Sequence, residues 1–313
     1  MNHPVLFDCD PGIDDAAALA LVLAYLDVRM ITTCAGNQLP IKTYTNARNL
    51  LSLMGREEIP VYQGAPKPLV RELRIAAEVH GKSGVGPVEL PESTAPHTTK
   101  TALEASARFL SESEQPVEIL ATGPLTNIAI LLVAHPELKH KIKGITLMGG
   151  AFHGGNTTPV AEFNMAVDPE AANLVFRSGV PIVMFGLDVT RQAQCYREDI
   201  ERLREVGTKT ATALAAMLDF YSNTLQLPVL APPEHVEGVH LHDPCAAAYL
   251  VDPSLFTLVR CNVEIETKGE FTAGCTVVDY YHNTGREENA SVAFAVNREK
   301  LIDLLCDAVG KLN

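Results

Sequence analysis

Four carboxylates, Asp8, Asp10, Asp14 and Asp15, stand within eight residues of one another in the run Asp8-Cys9-Asp10-Pro11-Gly12-Ile13-Asp14-Asp15. So much like charge in one turn repels itself unless a cation or a cationic ligand sits among it. Hard oxygen ligands in number suit Ca²⁺ or Mg²⁺, whereas zinc prefers nitrogen and sulfur. Aspartate also caps helices and favours their first turn, but this explains only one or two of the four. The cluster predicts a metal site.

Three further groups could join it. Asn156, Glu162, Asn164 and Asp168 surround Ala161 and Phe163. Asn and Glu beside apolar neighbours suit the holding of sugar hydroxyls, because each supplies directional donors or acceptors. Turn formation and capping before Pro169-Glu170 explain the same residues equally well. Asp168, directly before Pro169, reads as a cap and is left out of the site. In Leu241-His242-Asp243-Pro244-Cys245, an Asp before Pro would ordinarily cap a helix. Here a histidine precedes it, and the acidic cluster still lacks a distant ligand. His80, in Val79-His80-Gly81-Lys82-Ser83-Gly84, sits in a predicted loop. His3, His97, His135, His140 and His282 read as solvated surface groups.

The elements that must position these groups alternate. Strand-like runs are Val5–Asp10, Met30–Ala35, Val117–Ala121, Ile145–Met148 and Ile182–Asp188, followed late in the chain by Val259–Glu266 and Cys275–Asp279. Helix-like stretches are Asp14–Leu26, Tyr44–Met54, Ala102–Ser111, Leu125–Ala134, Pro169–Arg177, Thr208–Tyr221, Pro244–Leu250 and Arg298–Leu312. This alternation predicts an α/β fold, an open and mostly parallel sheet flanked by helices. Each early strand ends in something chemically pointed: Asp10, Gly36-Asn37, Thr122-Gly123, Met148-Gly149-Gly150, Asp188. In open α/β sheets the ligand site lies at the carboxyl ends of the strands, so these runs converge on one crevice. The loops Val79–Pro87 and Phe152–Thr158 are long enough to serve as lids. Gly149–Gly155 has the wrong spacing for a dinucleotide loop.

Bulk properties narrow the partners. The chain has 313 residues, 47% hydrophobic and 20% charged, with a formal net charge of −13. That balance argues against nucleic-acid phosphate and anionic membrane as partners. The apolar start is short and broken by Asp8 and Asp10, unlike a secretory leader. The longest apolar stretch, Ala16 to Leu26, is about half a bilayer span. Seven scattered cysteines with no C-x-x-C pair indicate neither zinc nor a disulfide framework. A cytoplasmic protein is expected. Length alone allows one large domain or two smaller ones.

With these residues in hand, the sequence resembles the inosine–uridine-preferring nucleoside hydrolases along nearly its whole length. Asp8-Cys9-Asp10-Pro11-Gly12-x-Asp14-Asp15-Ala16 is similar to that family's signature. Supporting it in order are Gly36-Asn37-Gln38, His80-Gly81, Ala121-Thr122-Gly123-Pro124-Leu125-Thr126-Asn127 and Leu147-Met148-Gly149-Gly150. Ala161-Glu162-Phe163-Asn164, Asp168-Pro169-Glu170-Ala171-Ala172, Gly186-Leu187-Asp188-Val189-Thr190 and His242-Asp243-Pro244 follow.

The resemblance implies a Rossmann-like sheet in a single domain over residues 1–313 and one Ca²⁺ per subunit. Asp10, Asp15 and Asp243 and the Thr122 carbonyl would hold the ion, with Asp8 in support. Asp14 would take the ribose 2′-hydroxyl, Asn164 the 3′-hydroxyl, and Asn156 with Glu162 the 5′-hydroxyl. Asn37 would help hold the ribose and Met148 would pack under it. The implied reaction is hydrolysis of the N-glycosidic bond of a ribonucleoside by a water at the ion, with Asp10 as general base. His80 and His242 match the family's pocket histidines, as contacts or proton donors to the base. The stretches around Leu241-His242 and Thr276-Val277-Val278-Asp279-Tyr280-Tyr281 are similar to pyrimidine-directed members, so uridine and cytidine are expected ahead of inosine. A homotetramer acting in nucleoside salvage is implied as well. Two departures stand out: Lys82, where relatives usually have Glu, and the Pro-rich stretch Tyr221–His240, expected on the base side of the pocket. The absence of Trp excludes stacking on an indole.

Other readings compete. A Mg²⁺ phosphohydrolase of the haloacid-dehalogenase type would explain Asp8-x-Asp10 after a first strand but not Pro11-Gly12-x-Asp14-Asp15. A broad inosine/uridine hydrolase, or a nucleoside-binding protein without turnover, would share the pocket.

Overall fold

Val5-Leu6-Phe7 offers apolar side chains to both faces of a strand, the composition of a strand covered on each side. It forms β1 (Pro4–Cys9), buried from Val5 onward, near the middle of the main sheet in a computed structural model that describes residues 3–225 and 238–313. The other strands are β2 (Asp27–Thr33), β3 (Val61–Gln63), β4 (Val117–Ala121), β5 (Ile142–Met148), β6 (Ile182–Phe185), β7 (Gln194–Cys195), β8 (Val239–His240), β9 (Phe256–Cys261), β10 (Val263–Ile265), β11 (Thr276–Val278) and β12 (Ala290–Val296). Eight of them form one sheet in the order β3-β2-β1-β4-β5-β6-β12-β9. All its pairings are parallel except β12 with β9. Two small antiparallel ribbons, β10-β11 and β7-β8, complete the strands among the described residues.

The order reverses at β1, which pairs with β2 on one side and β4 on the other. This is the switch point of a doubly wound sheet, where the loops after the two strands diverge and leave a crevice. Asp10 follows β1 and Thr122 follows β4, so the acidic motif opens into that crevice.

The helix Ile13–Tyr25 fixes the other wall. Its alanines favour helix, and it is buried from Ile13 to Leu23. Ala16, Ala17, Ala18 and Ala20 permit close packing on the helix His242–Val251, itself rich in alanine at 246–248, and on the helix Arg298–Gly310. Full burial of Leu19, Leu21 and Val22 is worth about 1.5–3 kcal/mol each. Asp15 accepts the Gly12 N–H at 2.9 Å and so caps the first turn.

Several expected boundaries shift. The run predicted as a strand over Ile182–Asp188 ends at Phe185 and becomes a helical turn, Leu187–Thr190. Val259–Glu266 divides between β9 and β10. The sequence pattern does not predict β3, β12 or the helix Arg197–Glu205; β12, Ala-Ser-Val-Ala-Phe-Ala-Val, carries three alanines, which favour neither period. Residues 226–237, most of the Pro-rich stretch Tyr221–His240, lie outside the described residues. No described helix is long and apolar enough to cross a membrane, and all seven cysteines are unpaired.

Candidate active site

Asp8, Asp10, Asp14, Asp15 and Asp243 are all buried. The first four come from the end of β1 and the start of the helix Ile13–Tyr25. Asp243 comes from the first turn of His242–Val251. Carboxylate oxygens of Asp14, Asp15 and Asp243 lie within 4.8 Å of one another. Two helix N-termini therefore meet at one anionic cluster, and their dipoles partly offset its charge.

Hydrogen bonds order this cluster. Asp15 accepts from the Thr122 hydroxyl at 2.7 Å and from Asn37 Nδ2 at 2.9 Å. The Asn37 N–H donates to Asp10 Oδ2 at 2.6 Å. Asp8 Oδ1 accepts from the Thr32 hydroxyl at 2.5 Å and from Asn127 Nδ2 at 2.7 Å. Thr32 and Asn127 are supports that the sequence reading did not single out, although Asn127 closes the Thr122-Gly123-Pro124-Leu125-Thr126-Asn127 motif. Gly36 and Gly123 flank Asp10 so closely that a Cβ on either would overlap its carboxylate.

Three oxygens are left over. Asp8 Oδ2, Asp10 Oδ1 and Asp14 Oδ1 are buried with no hydrogen-bond partner among the described residues. A buried, unpartnered carboxylate oxygen is costly unless a cation or a proton compensates it. Burial raises Asp8 to about 7. Burial first and Asp15 second raise Asp14 to about 7 as well, and hold Asp10 well above the ordinary carboxylate range. Asp243 is raised well above that range by burial and then by Asp14. Five carboxyls, orphaned oxygens and, among the described residues, no cationic side chain bonded to them fit a hard divalent ion. The trio whose carboxylate oxygens lie within 4.8 Å of one another contains Asp14 and not Asp10, which is joined to Asp15 through Asn37.

The sugar-binding candidates form a second unit. Asn164 Nδ2 donates to the Thr122 carbonyl at 2.7 Å and to the Met148 carbonyl at 3.1 Å. Glu162 caps the helix Phe163–Val167 through the N–H groups of Asn164 and Met165 and also accepts the Gly150 N–H at 2.9 Å. Burial raises it to about 7. Asn156 is exposed, and its Oδ1 accepts the Phe163 N–H at 2.9 Å. Asp168 caps the helix Pro169–Phe176 through the Ala171 N–H at 3.1 Å. One continuous chain of bonds thus runs Asn164–Thr122–Asp15–Asn37–Asp10.

The histidines differ from a mobile-loop picture. His80 ends a short helix, Ala77–His80, and is buried. Its Nδ1 accepts the Ile13 N–H, and its ring lies 5.8 Å from that of Tyr221. Burial pushes it down to about 4. His242, half-buried, is hydrogen-bonded through Nδ1 to the Thr190 hydroxyl at 2.8 Å. Burial and then His240 hold it well below the usual imidazole range. The predicted lids are both tethered: Gln38 Nε2 donates to the Gly81 carbonyl and Asn46 Nδ2 to that of Ser83, while Asp188 accepts the N–H groups of Phe152 and His153. Lys82 is exposed.

A family profile described as inosine-uridine preferring nucleoside hydrolase matches residues 5–303. The pyrimidine-specific ribonucleoside hydrolase RihA of Citrobacter koseri is 51% identical over 309 residues, covering 98% of each chain. The protein of the same name from Escherichia coli O1:K1 is 51% identical over 315 residues, again covering 98% of each. Among solved structures, a purine-preferring ribonucleoside hydrolase from Gardnerella vaginalis superposes with a TM-score of 0.91 at 32% identity, covering 99% of this chain and 98% of that one. The plant nucleoside hydrolase PpNRh1 gives the same TM-score and identity, covering 99% of both chains.

Proposed function

The chain belongs to the inosine-uridine preferring nucleoside hydrolase family and is a ribonucleoside hydrolase, and from that premise we propose that it cleaves pyrimidine ribonucleosides with Asp10 as general base and Ca²⁺ as its metal. The products are the free base and ribose. The observation that carries this reading is the bond chain from Asn164 through Thr122, Asp15 and Asn37 to Asp10, which ties sugar-binding candidates to a carboxylate cluster with orphaned oxygens. Uridine and cytidine are put ahead of inosine because the match to proteins named pyrimidine-specific is 51%, against 32% for the one named purine-preferring.

Asp10, Asp15, Asp243 and the Thr122 carbonyl would hold the ion. When bound, it supplies a Lewis acid that orients and acidifies water and gathers the ribose diol. The chain's own groups do the rest. Asp10 Oδ2 is held by the Asn37 N–H, leaving Oδ1 to take the proton of the attacking water. Asp14 binds the 2′-hydroxyl. Asn164 has its amide nitrogen engaged and its Oδ1 left for the 3′-hydroxyl. Asn156 and Glu162 take the 5′-hydroxyl, Asn37 steadies the ring and Met148 packs beneath it. Bond cleavage builds positive charge on the ribose, and buried carboxylates favour it. His80 and His242 serve the departing base.

The main sheet draws strands from Pro4 to Val296, which supports one catalytic domain over residues 1–313. The same reading gives a cytoplasmic homotetramer in nucleoside salvage. The test is a panel of uridine, cytidine, inosine, adenosine, thymidine and ribosyl nicotinamide, followed by ultraviolet absorbance and reducing-sugar release. Rapid cleavage of uridine and cytidine is expected. A strong preference for inosine would overturn the pyrimidine assignment alone, whereas phosphate release from nucleotides without sugar release would overturn the whole reading.

A further inference from the structure

The motif Gly186-Leu187-Asp188-Val189-Thr190 supplies no ligand to the cluster, yet it grips the loop that leads to Asn156. Asp188 Oδ2 accepts the Phe152 N–H at 2.6 Å, and its Oδ1 accepts the His153 N–H at 3.0 Å. The same Oδ1 lies 3.0 Å from His153 Nδ1. The Asp188 side chain is only 11% exposed. Arg191 continues the grip, with Nη2 donating to the Gly155 carbonyl at 2.8 Å. The far side of the loop is held by Thr276, whose hydroxyl accepts the Ala151 N–H at 2.7 Å and donates to the Ala151 carbonyl at 2.6 Å. Phe152 also stacks on Tyr280, with ring centroids 5.6 Å apart. The stretch Thr276–Tyr281 therefore anchors this loop.

We propose that Asp188 is a positioning residue for the 5′-hydroxyl end of the nucleoside, acting through the loop 152–158 and without touching substrate. A carboxylate that accepts two successive backbone N–H groups makes charge-assisted bonds and sets the direction in which the loop leaves β5. Four residues later that direction decides where the amide of Asn156 lies, and Asn156 is bonded to the segment carrying Glu162 and Asn164. The inference rests on the reading that Asn156 and Glu162 bind the 5′-hydroxyl.

Asp188→Asn keeps the shape but turns an NH₂ toward one of the two backbone donors. It should raise KM for uridine about tenfold, the scale of one lost charge-assisted bond, with kcat little changed. The same variant should leave 5′-deoxyuridine, which lacks the group the loop serves, at its wild-type kcat/KM. Arg191→Ala, at an exposed position, should reproduce the split with a smaller factor and carries the test if Asp188→Asn does not fold. Equal losses on uridine and 5′-deoxyuridine in both variants would overturn the proposal and leave Asp188 a structural brace. Wild-type enzyme that does not distinguish the two substrates would overturn the underlying assignment of the 5′-hydroxyl, and the proposal with it.

Discussion

The backbone N–H of Ile13 donates to Nδ1 of His80 across 3.2 Å, so the neutral imidazole carries its proton on Nε2. Burial pushes its pKa down to about 4, which keeps the ring neutral at physiological pH. In the proposed reaction this makes His80 a fixed hydrogen-bond donor toward the departing base, aligned by the same helix that supplies Asp14 and Asp15.

A base that leaves without help needs no such donor. His80→Ala and His242→Ala should each lower kcat/KM for uridine about 10²-fold and that for p-nitrophenyl riboside only a few-fold. Steady-state kinetics on the two substrates checks this. Equal losses would place the histidines on the ribose or on the fold.

Asp10→Asn should stay folded and lose about 3–5 kcal/mol of barrier stabilisation, because the amide keeps size and some ligation but takes no proton. Calorimetric titration with Ca²⁺ beside the rate measurement separates base from ligand. Near-wild-type turnover with the ion bound would sink the base assignment. Gly123→Ala should damage activity too, since its Cβ would overlap Asp10 Oδ1.

Metal and pH are linked with a definite sign. Asp8, Asp14 and Glu162 each stand at about 7 in the fold, raised by burial. The folded protein then holds protons more tightly than the unfolded chain. The stabilisation is complete below about pH 4, where the unfolded carboxyls also protonate, and is lost as pH rises through 7. Chelated protein should therefore melt lower at pH 8 than at pH 5, and Ca²⁺ should restore the loss at pH 8 by binding the ionised carboxylates. Thermal melts with EDTA or Ca²⁺ test it; a chelated protein equally stable at both pH values would count against the site.

The sugar makes the fourth test. If Asp14 and the ion both hold the 2′-hydroxyl, 2′-deoxyuridine leaves buried polar groups unpaired, and kcat/KM should fall by up to ~10⁴-fold. Comparable rates for uridine and 2′-deoxyuridine would contradict the pocket as drawn.

Most of this site was legible because its residue types are extravagant. Asp8 to Asp15 cannot be solvated scenery, and the polar strand endings predicted the crevice that the switch between β2 and β4 creates around β1. What escaped was context. Thr32 is an unremarkable β-branched residue in a strand until its hydroxyl meets Asp8. Gly36 and Gly123 look like turn residues, whereas each is needed for its lack of a Cβ beside Asp10. His80 read as a loop residue because nothing local announces a partner 67 positions away at Ile13. The Thr276–Tyr281 stretch drew notice through resemblance, and its contacts put it on the loop after β5.

The placement of β12 bears on how the chain is made. Residues up to Phe185 suffice for β3-β2-β1-β4-β5-β6, but β6 keeps an open edge until Ala290–Val296 inserts between it and β9. Until His242–Val251 and Arg298–Gly310 have been synthesised, the helix Ile13–Tyr25 lacks two of the helices that cover it. A nascent chain stalled before residue 240 would thus expose a strand edge and an apolar helix together, and carry Asp10 and Asp15 without Asp243. Residues 242–310 deliver the lock: they close the sheet, seal the helix and complete the cluster nearly at once.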